Sequence, residues 1–166
     1  MILGMSIETF TALHVIISLV AIATGLVVLV GMLGSKRLTG WTAQFLLTTF
    51  LTSATGFLFP INGFTPALGT GVVSIVVLSI ALLALYGKHL AGAWRWIYVA
   101  TAVAALYVNV LVLIVQAFQK VAFLNATAPT QSEPPFLIAQ SAALVLFVVL
   151  GLIAAFKFRP GLAISV

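Results

Sequence analysis

Seven polar side chains lie within long apolar runs of this 166-residue chain, and their types limit the chemistry that the chain could perform. They comprise one imidazole, three hydroxyl groups and three carboxamides: His14, Ser18, Thr52, Thr55, Asn109, Gln116 and Gln140. Such groups donate and accept hydrogen bonds, and histidine also transfers protons and ligates metals. These seven residues are therefore the candidate ligand-binding set.

His14 is the ionisable member of this set, and three roles are open to it. Ionisable groups inside a membrane are functional candidates, which favours proton handling or ligand binding. An imidazole near the membrane boundary can instead donate a hydrogen bond to a neighbouring helix, or ligate a haem iron. The other histidine, His89, falls on the order of 30 Å away across the predicted core, which excludes a bis-histidine haem within one copy. No cofactor is predicted, although a haem held by His14 alone stays open.

The chain lacks the residue sets that most enzymatic and metal sites need. It contains no cysteine and no aspartate, and its only acidic residues are Glu8 and Glu133. We find no paired carboxylates, glycine-rich phosphate loop, serine elbow or metal-binding histidine cluster, so no catalytic residue and no metal site are predicted. These absences favour a non-enzymatic function and disfavour an acid-driven pump, while a passive channel stays open.

Composition predicts the elements that position these residues. Hydrophobic residues make up 63% of the chain and charged residues only 5%, against about 25% charged residues in soluble domains. A lipid bilayer is the solvent that suits such a chain, and a helix that crosses it needs about 20 apolar residues. Five runs qualify: 10–33, 41–59, 67–87, 94–118 and 136–156. All six prolines lie outside these runs, which supports their boundaries. The sequence therefore predicts one all-α integral membrane domain over residues 1–166, a bundle of five transmembrane helices.

The basic residues predict the orientation of this bundle. Six of the seven fall on one side of the predicted spans: Lys36, Arg37, Lys88, Arg95, Lys157 and Arg159. Positive loops face the cytoplasm, so the N-terminus is predicted outside and the C-terminus inside. Five residues form two cytoplasmic turns, with either a topological role or a role in binding lipid headgroups: Lys36, Arg37, Lys88, His89 and Arg95. The same placement argues against nucleic-acid binding and leaves the bilayer, a membrane protein or a second copy as the predicted partners.

The two predicted basic turns are similar in sequence. The first reads KRLTGW over residues 36–41 and the second KHLAGAW over residues 88–94. Two hairpins in the same orientation, followed by one further helix, would be the product of a duplication. The alternative is convergence, because any cytoplasmic turn favours a basic residue, a glycine and a tryptophan.

Helical spacing predicts how the seven polar residues are arranged. Thr52 and Thr55 share a helical stripe, as do His14 and Ser18. With the predicted orientation, Asn109 falls near the middle of the membrane and the other six fall in its outer half. Because unpaired polar groups in hydrocarbon cost several kcal/mol, these side chains should turn inward. They form either an outward-facing polar pocket roofed by the loop 119–135 or hydrogen bonds that hold the helices together.

Residues 13–41 carry a family resemblance. They read LHVIISLVAIATGLVVLVGMLGSKRLTGW and place small residues four, seven and eleven positions after a histidine, followed by a basic turn: His14, Ser18, Ala21, Gly25 and Lys36–Gly40. This pattern resembles small multi-spanning bacterial inner-membrane proteins of unknown function, although Lys36 stands where that group has a histidine. The resemblance implies a multi-pass protein of the bacterial inner membrane and supplies no activity.

Three classes of function follow from these observations. The first is a non-enzymatic bundle that acts as an accessory or scaffold subunit or assembles with further copies of itself. The second is a binding protein or conduit for a small solute or lipid, which would use the outer polar pocket. The third is a membrane redox protein that holds haem or quinone.

Overall fold

The computed structural model describes residues 1–60, 63 and 66–160 of the protein. This part of the chain forms six α-helices: α1 (Ile7–Leu33), α2 (Thr39–Gly56), α3 (Pro66–Leu82), α4 (Trp94–Lys120), α5 (Ala122–Thr127) and α6 (Pro134–Lys157). A π-helical turn, Leu83–Gly87, continues α3 directly. The prediction of an all-α fold is therefore confirmed for the described residues.

Four helical segments of the described chain are long and apolar enough to cross a membrane: Ile7–Leu33, Leu68–Gly87, Trp94–Lys120 and Pro134–Lys157. They correspond to four of the five predicted spans. The remaining predicted span, 41–59, forms α2, but eight of the eighteen residues of α2 carry a hydroxyl or carboxamide group. Its lower hydropathy sets α2 apart from the other long helices, so the five-span arrangement stays a prediction.

The helix boundaries follow from the local sequence. The Ser6 hydroxyl accepts a hydrogen bond from the backbone N–H of Thr9 at 3.1 Å and caps the start of α1. Pro134 and Pro135 occupy the first turn of α6, where backbone N–H groups have no acceptor within the helix, so the N–H that proline lacks is not needed. The predicted loop 119–135 differs from expectation, because α4 continues to Lys120 and α5 forms within the loop. Residues 122–127 contain neither proline nor glycine, so nothing in their sequence prevents a helical turn.

Helix α4 lies at the centre of the bundle and contacts each of the other long helices, α1, α2, α3 and α6. Helix α1 also packs along α2, and a glycine allows the close approach. A Cβ added to Gly25 would lie 2.6 Å from Cδ1 of Leu106 on α4 and 2.8 Å from Cε2 of Phe45 on α2. Three helices therefore meet at a point where no larger residue fits without movement of its neighbours.

The two ends of the bundle differ in charge. At the end that we call the basic end, Arg159 meets the turn after α1, and the Trp96 and Phe156 rings of α4 and α6 lie 5.2 Å apart. At the opposite end, Phe10 of α1 contacts Phe59, which follows α2, with ring centroids 5.1 Å apart. All six basic residues of the predicted cytoplasmic side thus lie at one end: Lys36, Arg37, Lys88, Arg95, Lys157 and Arg159.

The two similar turns have different backbones. The turn after α1 places Ser35 in the left-handed region, with φ 56°. The turn after α3 begins with the π-helical segment and contains two left-handed residues in succession, His89 at φ 49° and Leu90 at φ 59°. The two similar sequences therefore adopt distinct backbone conformations. The duplication stays a prediction.

Candidate functional site

His14 is the best-defined member of the predicted polar set. It is half-buried on α1, two turns from the helix start, and its Nδ1 atom lies 2.7 Å from Oγ1 of Thr55 on α2. Both residues belong to the predicted set, and the structure brings them together at the opposite end of the bundle. The interaction joins the first two helices near the points where α1 begins and α2 ends.

The neighbours of Thr55 determine which atom donates in this hydrogen bond. The Thr55 hydroxyl donates to the backbone carbonyl of Leu51 at 2.7 Å, so its single proton is already used. We therefore assign the proton of the bond to Nδ1 of His14, which donates to Thr55. In the neutral ring, Nε2 of His14 then keeps its lone pair, and within the described chain it has no hydrogen-bond partner.

An aromatic ring and a basic group lie beside His14. The Phe59 ring stands almost perpendicular to the imidazole, with centroids 5.3 Å apart. The ammonium of Lys120, the last residue of α4, is close enough to interact with His14 electrostatically. The imidazole therefore lies beside an aromatic ring and is influenced by a positive charge, and its Nε2 atom can accept one hydrogen bond.

Asn109 of the predicted set pairs with a residue that the sequence did not single out. Its Nδ2 atom donates to Oγ1 of Thr49 on α2 at 3.2 Å, and Thr49 is completely buried. Ser53, one turn further along α2, donates to Ser74 of α3 at 2.9 Å. Helix α2 thus makes side-chain hydrogen bonds to α1, α3 and α4 through Thr55, Ser53 and Thr49, three of its eight polar residues. The spacing of Thr49 and Ser53 was a usable signal, because these two residues are four apart.

The remaining members of the set make no hydrogen bond to the His14 imidazole within the described chain. The Gln140 carboxamide of α6 donates to the backbone carbonyl of Leu111 on α4 at 3.2 Å. The Ser18 hydroxyl donates to the carbonyl of His14 within its own helix at 2.7 Å. Gln116 is half-buried, and its side chain makes no hydrogen bond within the described chain. The members of the set that bond across helices therefore do so at separate helix pairs, α1–α2, α2–α4 and α4–α6.

Two buried oxygen atoms have no hydrogen-bond partner among the described residues, Oγ1 of Thr52 and Oε1 of Gln140. They belong to different helices, α2 and α6. A shallow, open surface depression lies along α6 and is lined by that helix alone: Pro134, Leu137, Ile138, Ser141, Ala142 and Val145. None of these residues belongs to the predicted set, so this depression is not the predicted polar pocket.

The segment between α5 and α6 folds onto the end of α4. The Gln131 carboxamide donates to the carbonyl of Val115 at 2.9 Å. The Glu133 carboxylate accepts hydrogen bonds from the Thr130 hydroxyl at 2.8 Å and from the backbone N–H of Ser132 at 3.1 Å. These hydrogen bonds lower the pKa of Glu133 below its usual value, and the bond from the Thr130 side chain has the largest effect.

Arg95 has a structural role at the basic end. Its guanidinium donates to the carbonyl of Ala155 at 3.2 Å and also to the carbonyl of Phe158, which satisfies backbone acceptors at the end of α6. It also lies over the Trp96 ring, 4.8 Å from the centroid. A guanidinium at a helix C-terminus is favoured by the helix dipole. Arg95 therefore fastens α6 to the start of α4, a role that the sequence did not reveal.

The other residues of the predicted basic turns are more exposed. Lys88 lies over the Trp94 ring, 5.6 Å from its centroid. Lys36, Arg37 and His89 are exposed. No group of three or more histidine, cysteine or acidic residues within the described chain could hold a metal ion. His14 and His89 lie at opposite ends of the bundle, as predicted, and do not form a common site.

Comparisons with known proteins identify no family for this chain. No family model matches the chain, and neither a curated protein nor a solved structure matches it significantly.

Proposed function

We propose that the chain is a five-span integral membrane protein with a non-enzymatic function, an accessory or scaffold subunit that binds another membrane protein or a second copy of itself. One observation carries the proposal: the predicted polar residues that form inter-helix hydrogen bonds do so at separate helix pairs. His14 pairs with Thr55, and Asn109 pairs with Thr49. Side chains committed in this way hold a bundle together and do not offer a shared substrate site.

The proposed arrangement places the N-terminus outside and the C-terminus inside, in a bacterial inner membrane. The six basic residues of the basic end would then face the cytoplasm. The resemblance of residues 13–41 to small bacterial inner-membrane proteins supports this location. Helix α2 would be the remaining span, with Thr55, Ser53 and Thr49 turned toward α1, α3 and α4.

The face of α6 that includes Ser141 and Ala142 is the surface that we propose for the partner. Both small residues are exposed, and the flanking Ile138 and Val145 are 67% and 61% exposed. Small residues beside branched ones let two helices approach closely in a membrane. Helix α6 contributes little to the core, since only Phe147 and Ala154 among its residues are buried.

Disulfide crosslinking in native membranes tests this function, because the chain has no cysteine of its own. We expect Ala142→Cys to form a disulfide-linked dimer, or an adduct with a partner that carries a cysteine. Val73→Cys is the matched control, since Val73 is 50% exposed and lies at a similar distance from the start of its helix, α3. Equal crosslinking at both positions, or monomers at both, would contradict the proposed partner surface.

A second candidate function is the binding of a small solute or a quinone beside His14. The observation that favours it is that the His14 imidazole packs against the Phe59 ring and that its Nε2 atom has no hydrogen-bond partner within the described chain. The absorption spectrum of the purified protein tests the related haem hypothesis, because a haem held by His14 would give a Soret band that His14→Ala removes. Solute handling that changes in His14→Ala while folding is retained would favour the binding function over the scaffold function.

A further inference from the structure

Four exposed basic side chains make no hydrogen bond, ion pair or aromatic contact within the described part of the chain. They are Lys36, Arg37, Lys157 and Arg159, which we call the basic patch. The patch contrasts with Arg95 at the same end, whose guanidinium is bound to two backbone carbonyls. Among the described residues, these four cations are therefore available to a ligand.

One hydrogen bond brings the two halves of the basic patch together. The backbone N–H of Arg159 donates to the hydroxyl of Ser35 at 2.9 Å. Ser35 directly precedes Lys36, and Lys157 ends α6 only two residues before Arg159. The four residues therefore belong to one junction, where the ends of α1 and α6 meet.

No acidic side chain of the protein can neutralise the basic patch. The chain contains only two acidic residues, Glu8 and Glu133. Glu8 lies in the first turn of α1 and Glu133 directly precedes α6, so both are at the opposite end of the bundle. No acidic side chain of the described chain therefore supplies a counter-charge beside the patch.

Exposed aromatic rings beside the basic patch indicate what kind of anion binds there. Trp41 is 48% exposed and follows Arg37 by four residues, and Phe156 is 64% exposed and directly precedes Lys157. Tryptophan is enriched at the headgroup level of a bilayer, where its ring is in contact with both lipid and water. Basic groups close to such rings are positioned to meet lipid phosphates.

We infer that the basic patch is a binding site for the phosphate group of an anionic phospholipid. The inference rests on the membrane insertion proposed above, and it adds a lipid preference that insertion alone does not require. Basic residues near a membrane surface contribute about 1 kcal/mol each, which corresponds to about a five-fold change in association per charge.

The three tryptophans provide a local readout, because Trp41, Trp94 and Trp96 all lie at the basic end. The full chain is reconstituted in phosphatidylcholine bilayers that contain equal mole fractions of brominated phosphatidylglycerol or brominated phosphatidylcholine. Bromine quenches nearby tryptophan fluorescence, so the ratio of the two quenching constants measures the lipid preference. We expect stronger quenching by phosphatidylglycerol, and a preference that disappears at about 1 M salt, where the Debye length is about 3 Å.

Matched variants separate a site from a general effect of net charge. Arg159→Gln and Lys120→Gln each remove one positive charge, but Lys120 lies at the opposite end of the bundle. We expect Arg159→Gln to lower the preference by about five-fold and Lys120→Gln to leave it unchanged.

Two results would overturn the inference in different ways. Equal quenching of the wild-type protein by both lipids would contradict the lipid site alone and would favour an acidic segment of a partner protein as the occupant. Absence of quenching by either lipid would contradict membrane insertion and the lipid site together. Where a variant fails to fold, the salt response of the wild-type protein still tests the lipid site, because a lipid preference that persists at high salt would contradict binding by the basic patch.

Discussion

At the scale of single residues, the His14–Thr55 hydrogen bond is the contact whose removal is easiest to interpret. It joins α1 to α2 through side chains, whereas the hydroxyl of Thr48 on the same helix donates only to carbonyls of α2, the nearer at 2.7 Å. The two threonines therefore form a matched pair for substitution. Each replacement by valine keeps the shape of the side chain and removes one hydroxyl group.

We expect Thr55→Val to destabilise the folded protein by about 1 kcal/mol, the usual size of a hydrogen bond between membrane helices. The physical reason is that Nδ1–H of His14 loses its acceptor in a half-buried position. Thr48→Val should change the free energy of unfolding much less. Unfolding of both variants in mixed micelles measures the difference, and equal effects would show that the inter-helix bond contributes nothing.

The carboxylate of Glu133 makes the segment before α6 sensitive to acid. Because its pKa is lower in the folded protein than in the unfolded chain, its contribution to stability is fully present above the unfolded value, about pH 4.3, and is lost as pH falls through the lower folded value. We expect the protection factors of the amides of residues 128–133, which compare the observed exchange rate with the intrinsic rate at each pH, to fall below about pH 4. Glu133→Gln should remove this acid response, whereas Glu8→Gln should retain it. An acid response that persists in Glu133→Gln would contradict the assignment.

The sequence predicted the residue types of the polar contacts more accurately than their partners. His14 and Thr55 were both expected to face inward, and they meet. Thr49, the buried partner of Asn109, was not selected, because the stripe of Thr49 and Ser53 competes with that of Thr52 and Thr55 on another face of α2. The rotation of a helix about its axis depends on packing with its neighbours, and a helix that is polar on several faces does not reveal it.

At the scale of elements, the close contact of α1, α2 and α4 depends on Gly25. We expect Gly25→Ala to destabilise the protein by about 1–3 kcal/mol, because the added Cβ would overlap with Leu106 and Phe45. Gly40→Ala on α2 is the control, since nothing lies within 4 Å of its added Cβ. This control should be neutral or stabilising by up to about 1 kcal/mol. Thermal unfolding of both variants in detergent measures the contrast, and a Gly25→Ala protein as stable as wild type would show that the helices can separate without cost.

The long helices were predictable from the sequence because an uninterrupted apolar run of about 20 residues is typical of a membrane-spanning helix and of few other structures. The span predicted over 94–118 is the helix Trp94–Lys120, and the span predicted over 136–156 is Pro134–Lys157. The short helix α5 was missed, because six residues are too few to show a period. The π-helical turn Leu83–Gly87 was also missed, since nothing in its amino-acid sequence distinguishes it from an α-helix.

At the scale of the whole molecule, the proposed orientation can be tested directly by cysteine labelling. The chain has no cysteine, so single substitutions give an unambiguous signal. We expect a membrane-impermeant maleimide, added to intact cells, to label Thr130→Cys in the exposed segment before α6 and not Lys36→Cys. The reason is that six basic residues should hold the basic end in the cytoplasm. Labelling of Lys36→Cys from outside would reverse the proposed topology.

The polar composition of α2 has a consequence for how the chain is made. In the proposed five-span arrangement, α2 leaves the translocon as the least hydrophobic segment, and its threonines give it little tendency to enter lipid alone. Hydrogen-bonding groups in hydrocarbon need partners, and the first available one is His14, on a helix that has already been synthesised. Helices α1 and α2 would then enter the bilayer as a preassembled hairpin, so the first step of biogenesis is already a step of tertiary folding.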